Sequence, residues 1–373
     1  MADAPRNIVL LAGRLPDWPD AWRIGPLVGR LHALGFVVQV VCLANGGVME
    51  ASAGLIECPG LGSRWLRRWA TRGLHLGEGP LRPALLHVLH SEMSHAGLRL
   101  AIRWRIPYVQ TVDEFIPLGG RLRISRRWCR ALIAPGRDLA DDLLQSLRVP
   151  ESLVAIVSPG VPIPHREPDV QVRPRVPVVG AAGPLVIGSG LVTFLNAARN
   201  VVAAGLDTEF VIAGHGPVET DLRRLAERLR IADRVTFTAD PGSSGTFWKV
   251  LDAFCQTSLV PTVGRPLATA LAHGIPAIAA DVPGLRSWMA DESVGLRVPP
   301  GDTDALYRAI ITLLTDPAQA RIIGLRGRAW VADAFHPDRE AQALAALYQR
   351  VASLADHPSV SSTEVQTLQA SSS

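Results

Sequence analysis

The feature that most constrains this chain is an alternation that runs twice. Short β-branched, apolar runs alternate with stretches whose apolar residues recur at helical spacing. The pattern halts once, at 162–177, and then restarts. The halt reads Pro-Ile-Pro-His-Arg-Glu-Pro-Asp-Val-Gln-Val-Arg-Pro-Arg-Val-Pro and holds five prolines. Proline lacks the amide hydrogen that a helix interior or a central strand needs, so this run is read as an interdomain linker. Ahead of it, 7–12, 37–43, 85–89, 108–112, 131–134 and 154–157 read as strands, and 21–34, 92–104 and 138–147 as helices. Behind it, 176–181, 209–213, 235–238, 253–259 and 277–280 read as strands. The helices there are 190–204, 217–230, 247–252, 265–273, 302–315, 318–332 and 338–354. Such alternation predicts an α/β chain of two Rossmann-like, doubly wound parallel-sheet domains, at 1–161 and 178–335. A C-terminal helix at 336–356 and a Ser- and Thr-rich disordered tail at 357–373 are expected to follow. Two such domains predict a cleft between two sets of strand carboxyl ends, with ligands bound there.

Composition narrows the function classes. A hydrophobic content of 48% against 19% charged residues excludes global disorder. No apolar run reaches the ~18–20 residues of a spanning helix. The opening Met-Ala-Asp-Ala-Pro-Arg-Asn lacks the charged-then-apolar order of a signal peptide, so a cytoplasmic location is expected. Cys42, Cys58, Cys129 and Cys255 have no metal-like spacing; Cys42 and Cys255 lie in apolar runs and read as buried thiols, and no metal is expected. No Gly-x-Gly-x-x-Gly follows the first strand of either half, which disfavours a nicotinamide dehydrogenase.

Phe210-Val-Ile-Ala-Gly-His-Gly-Pro217, Arg234-Val-Thr-Phe237, Asp252-Ala-Phe254 and Ala270-Leu-Ala-His-Gly-Ile-Pro276 follow one another in a fixed order. Gly295-Leu-Arg-Val-Pro-Pro-Gly-Asp302 and Leu313-Leu-Thr-Asp-Pro317 continue the series. With these blocks the chain resembles the GT-B glycosyltransferases of family 4. Ile106-Pro-Tyr-Val-Gln-Thr111 and Ser158-Pro-Gly-Val161 extend the resemblance, more loosely, into the first half. It implies a GT-B fold. It also implies a nucleotide-sugar donor on the second domain, a glycan or lipid-linked acceptor on the first, and sugar transfer with retention of configuration. Neither a metal nor another cofactor is implied.

Several functional positions of the family are occupied differently here. The resemblance places an Arg and a Lys, which clamp the donor diphosphate, on the loop after the first strand of the second domain. Within Gly183-Pro-Leu-Val-Ile-Gly-Ser-Gly190 those places hold Pro184 and Ser189. Two glutamates eight residues apart, one for the sugar and one for the ribose, fall on Pro261 and Thr269, and a third falls on Ser287. Gly183, Gly214, Gly216, Pro217, Ser258, Gly264, Arg265 and Thr269 remain the expected donor-side residues, with Thr269 able to give one ribose hydrogen bond. Arg265 is a candidate replacement cation; an exposed residue at a helix start is its other reading. His215 and His273 read as surface or packing residues. In the first domain a family histidine is replaced by Asp113, followed by Glu114; the pair is either an acid–base candidate or a surface acidic pair. The glycine-rich first loop of the family is replaced by the bulky 14–23 segment.

Charge is distributed unevenly. Residues 64–137 hold 14 Arg against 4 Asp and Glu. Arg64, Arg68 and Arg72 fall on one helical face with Arg67, Trp65 and Trp69 beside them, and Arg126 and Arg127 add to the positive charge. Cationic faces with interfacial tryptophans suit an anionic membrane surface, here the inner face; an ordinary solvated face is the alternative. Nucleic acid is not expected, because no recognised binding module is present. Two functional readings stay open: a glycosyltransferase with a remodelled donor site, and a non-catalytic pseudo-glycosyltransferase that binds a glycan or a partner glycosyltransferase.

Overall fold

A computed structural model describes residues 7–15, 20–50, 54–74, 82–117, 119–164, 176–239, 246–289, 293–355 and 365–370. In chain order, the first half builds β1 (Asn7–Leu11), α1 (Asp20–Ala33), β2 (Val37–Cys42), β3 (Leu55–Glu57), α2 (Arg67–Gly73), β4 (Leu85–Val88) and α3 (Ser94–Trp104). It continues with β5 (Tyr108–Thr111), β6 (Arg121–Ser125), β7 (Cys129–Ala134), α4 (Arg137–Gln145) and β8 (Val154–Ile156). The second half builds β9 (Val178–Ala182), α5 (Leu191–Ala203), β10 (Glu209–Ala213), α6 (Glu219–Arg228), β11 (Val235–Thr238) and α7 (Thr246–Val250). Then come β12 (Ala253–Gln256), α8 (Arg265–Ala272), β13 (Ala277–Ala280), β14 (Leu296–Val298), α9 (Thr303–Thr315) and α10 (Pro317–Ala334). The chain closes with α11 (Pro337–Ala355) and β15 (Val365–Gln369).

Two compact units result: Met1–Gly160 with Pro337–Ser373, and Val161–His336. The first holds a seven-stranded sheet in the order β3-β2-β1-β4-β5-β7-β8, and the second a six-stranded sheet in the order β11-β10-β9-β12-β13-β14. Every pairing within both sheets is parallel. The central strands explain why: β1 and β9 are buried along nearly their whole length, which demands helices on both faces. In the first unit α3 and α4 pack on one face of the sheet, while α1 and α11 pack on the other. The last helix therefore belongs structurally with the first unit. Leu344, Leu347, Tyr348 and Val351 join that core, and Glu340 pairs with Arg23 while accepting the Gly160 amide.

In both sheets the order reverses direction once, between β1 and β4 and between β9 and β12. Loops leaving the carboxyl ends of neighbouring strands diverge at such a switch point and leave room for a ligand.

The structure departs from expectation in the tail and at three strands. β3, β6 and β14 were not anticipated; all are five residues or shorter, and the run Arg-Leu-Arg-Ile-Ser of β6 alternates in the manner of a half-buried strand. The disordered tail is corrected at 365–369, where β15 pairs antiparallel with β6. Leu368 and Ala370 are buried there, enough apolar content to dock a polar segment that has no core pattern of its own. The remainder of the tail, most of the proline-rich linker and Pro16–Pro19 of the first loop lie outside the described residues.

Candidate functional site

Each unit has its own candidate edge, at the carboxyl ends of its strands. In the second unit, the 183–190 loop leaves β9 and the 257–264 loop leaves β12, the two strands that flank the switch point. The loops touch. Gly190 has φ 74°, and a Cβ there would fall 1.6 Å from the Thr257 carbonyl oxygen. The Thr257 hydroxyl donates to the Ser189 carbonyl at 3.2 Å, and the Leu259 amide to that of Gly188 at 2.8 Å. The 214–217 loop packs on the same structure. Gly214 has φ 143°, and its missing Cβ would lie 1.9 Å from the Gly183 oxygen, while that of Gly216 would lie 2.2 Å from the Leu185 oxygen. The Leu185 amide donates to the His215 carbonyl at 3.0 Å. These glycines thus permit a backbone-to-backbone approach between two loops.

Gly264 (φ 71°) is the N-cap of α8 and faces Leu285 and Trp288, whose indole N–H donates to the Val263 carbonyl at 2.5 Å. Arg265, half-buried, is the first residue of α8. Pro261 is exposed. Thr269 is buried and its hydroxyl donates to the Arg265 carbonyl one turn back, at 3.1 Å, so the expected ribose hydrogen bond has no free donor in this conformation. Ser287 likewise donates to the Gly284 carbonyl at 2.9 Å. Ser258 is buried and accepts from the Gln256 side-chain amide at 3.2 Å, while the Gln256 Oε1 has no partner among the described residues. His215 is exposed. His273 stacks on Trp248 and bonds the Thr269 carbonyl through Nδ1, and burial lowers its pKa. One cation escaped the sequence reading: Arg286, just past β13, whose Nε donates to Asp281 at 2.7 Å. Its signal was present, since an Asp at a strand end with an Arg five residues on can close a turn.

In the first unit the switch point lies between β1 and β4. The Gly13 amide donates to His90 Nδ1 at 3.1 Å, and a Cβ on Gly13 would collide with the Glu92 carboxylate. Asp113, past β5, accepts the Ser91 amide at 2.9 Å, so its carboxylate ties the β5 loop to the β4 loop. Glu114 is exposed. His90 and Glu92 were absent from the sequence reading, although they follow β4 at the switch point. Beneath this edge His87, fully buried, bonds Tyr348 Oη through Nδ1 at 2.6 Å and Thr111 Oγ1 through Nε2 at 2.8 Å. Burial, with Arg23 and His90 adding to it, lowers the His87 pKa to about 3.

The Arg/Trp surface differs from the expected single helical face. α2 begins at Arg67, so Arg64 and Trp65 lie in the turn before it. Arg67 is half-buried, with Nε donating to the Leu61 carbonyl at 2.7 Å and a second nitrogen to Gly62 at 3.2 Å. Trp65 is 89% exposed, Trp69 70% and Leu66 57%, with the Arg72 guanidinium over the Trp69 ring. Arg127 lies over Trp128, and Arg126 donates to the Gln366 side chain at 2.9 Å. The pKa of His95 is lowered, first by partial burial and then by the positive charges of Arg67, Arg123, Arg64 and Arg99. Among the described residues, no helix is long and apolar enough to cross a membrane, and no cluster of His, Cys, Asp and Glu has metal-site composition.

Comparison with known proteins gives the family and the fold. Residues 24–163 match the family model "Glycosyltransferase Family 4", and residues 176–316 match "Glycosyl transferases group 1". The 2-deoxystreptamine glucosyltransferase of Streptomyces kanamyceticus is 28% identical over 177 residues, 47% of this chain and 46% of that protein. A GDP-mannose-dependent α-(1-6)-phosphatidylinositol monomannoside mannosyltransferase of Mycolicibacterium smegmatis is 29% identical over 202 residues, 49% of this chain and 53% of that protein. The chain thus spans about half the length of the curated relatives it matches. Among solved structures, sucrose-phosphate synthase from Thermosynechococcus elongatus superposes with TM-score 0.74 at 19% identity, covering 93% of this chain and 99% of the other. Anabaena HepE with UDP and glucose gives TM-score 0.70 at 15% identity over 91% and 98%. The same GT-B architecture appears in WaaG, with TM-score 0.67 at 13% identity over 90% and 98%.

Proposed function

The chain belongs to the family 4 glycosyltransferases, and from that premise we propose that it serves glycan assembly without the family's nucleotide-sugar chemistry. On this reading it is a non-catalytic member that binds a glycan or lipid-linked acceptor, or a partner glycosyltransferase, through the edges described above. The observation that carries the reading is the donor-side edge. By the family resemblance, Pro184 and Ser189 stand at the positions of the cations that clamp the diphosphate, and Pro261 at the first carboxylate position. The hydroxyls at the other two carboxylate positions, Thr269 and Ser287, donate to backbone carbonyls. A charge-assisted hydrogen bond contributes about 1.5–3 kcal/mol, so losing two weakens diphosphate binding by roughly 10²–10⁴-fold. Leaving-group stabilisation falls with the same charges.

A second reading, retaining sugar transfer through a remodelled donor site, rests on Arg265 at the start of α8 and Arg286 past β13, two cations on the same edge. The partner surface is the same in both readings. The exposed Trp65, Leu66 and Trp69, with Arg72 over the Trp69 ring and the exposed Arg64 and Arg68 close by in the chain, fit the anionic inner face of a membrane.

Thermal-shift measurements against UDP, GDP, ADP and their sugars separate the readings. A ligand at 100 times its dissociation constant stabilises the native state by about 2.7 kcal/mol. The non-catalytic reading expects no shift at millimolar nucleotide. A clear shift together with donor hydrolysis establishes the second.

A further inference from the structure

β6 has β15 as its one strand partner among the described residues. The register is antiparallel, with Val365 opposite Ser125, Leu368 opposite Leu122 and Gln369 opposite Arg121. Pairing continues past the strand: the Gly119 amide donates to the Ala370 carbonyl at 3.1 Å, and the Ala370 amide to the Gly120 carbonyl at 3.0 Å. An isolated two-stranded ribbon is marginal in water. This one is held because one face is apolar: Leu122, Ile124, Leu368 and Ala370 are all buried in the core beside α3. Without β15, β6 would present a bare hydrogen-bonding edge and an uncovered apolar face.

What the ribbon borders gives it a role. The 112–120 loop runs from the end of β5 to the start of β6 and carries Asp113 and Glu114. At its near end, Thr111 bonds His87, which bonds Tyr348 of α11. At its far end, Gly119 and Gly120 bond Ala370. Both anchors come from the C-terminal segment, so one stretch of chain holds both ends of the loop. The two anchors differ in strength. α11 contributes several fully buried side chains, whereas the tail contributes Leu368, Ala370 and backbone hydrogen bonds.

We infer that residues 365–370 are a detachable strap that closes the β6 edge and fixes the 112–120 loop, with the chain's own tail as the occupant of a strand-binding slot. The strap is closed in the isolated chain, by backbone pairing and two buried side chains, and open to displacement by a competing strand. This rests on the reading of the first unit as the acceptor side, because only then does the loop lie where an acceptor binds.

Hydrogen–deuterium exchange tests the strap with no reference to sugar transfer or nucleotide binding, so its failure and that of the proposed function are told apart. The full chain is compared with a chain ending at Val360, with and without a synthetic peptide of residues 361–373 at millimolar concentration. Expected is exchange faster by about tenfold or more across 112–125 on truncation, unchanged exchange in β1 and β4, and recovery with the peptide. The full-length Leu368→Asp variant should reproduce the truncation and open Arg121 and Arg123 to trypsin. Unchanged exchange at 112–125 overturns the inference. Loss of protection spreading into β1 and β4 also overturns it, because the tail is then part of the core.

Discussion

Replacing Pro184 with arginine and Ser189 with lysine puts two cations on the 183–190 loop. If the missing charges are what keeps diphosphates away, the double variant gains roughly 10²–10⁴-fold in affinity for UDP or GDP, read by calorimetry. Gly214 gives a stability test on the same edge. Its φ of 143° is confined to glycine, and the position of its absent Cβ is occupied by the Gly183 oxygen. Gly214→Ala should cost about 1–3 kcal/mol from backbone strain alone, before the collision, measured by chemical unfolding. His87 supplies a pH dependence. Folded, it stays neutral down to about pH 3; unfolded, it protonates near its ordinary 6.5. The unfolded state then binds more protons between those values, so acid favours unfolding. The His87 contribution is fully present above the unfolded value and is lost as pH falls toward the folded one, with a limiting slope of about 1.4 kcal/mol per pH unit. His87→Gln should flatten the acid limb of the stability curve; an unchanged limb refutes the assignment.

At the scale of elements, α2 and the turn before it make the most exposed aromatic surface among the described residues of the first unit. Reversing Arg64, Arg68 and Arg72 to Glu should abolish flotation with anionic vesicles. Each cation near such a surface contributes about 1 kcal/mol, so removing three is worth roughly a hundredfold, before the added repulsion. Arg67 is left out because its guanidinium holds the Leu61 and Gly62 carbonyls, and Arg67→Glu would lower stability instead. Binding that survives the triple reversal makes this an ordinary solvated face. The central strands of both sheets and their helices were readable because central strands are continuous apolar runs and the helices keep strong periodicity, whereas the three-residue edge strands β3 and β14 were not. β15 was unreadable for the opposite reason. Val-Gln-Thr-Leu-Gln becomes a strand only because β6 offers it an edge, and that edge lies some 240 residues earlier in the chain.

For the whole molecule, two doubly wound sheets were legible once the alternation was read, while the strand orders that set their switch points came from the fold. Where side chains spend their hydrogen bonds was not legible. The family resemblance implies a ribose hydrogen bond from Thr269, and only the fold shows its hydroxyl turned to the Arg265 carbonyl. His90 and Glu92 lie on the first unit's switch point, but no pairwise spacing linked them to Gly13, which precedes His90 by 77 positions. The central claim concerns the donor-side edge and its missing charges. Calorimetric titration of the unmodified chain with UDP-sugars and GDP-sugars, each followed by a check for hydrolysis of the donor, tests it most directly. The account predicts no saturable heat at millimolar donor and no free sugar. Micromolar saturation with release of the nucleotide would contradict it and install Arg265 and Arg286 as the groups that took over.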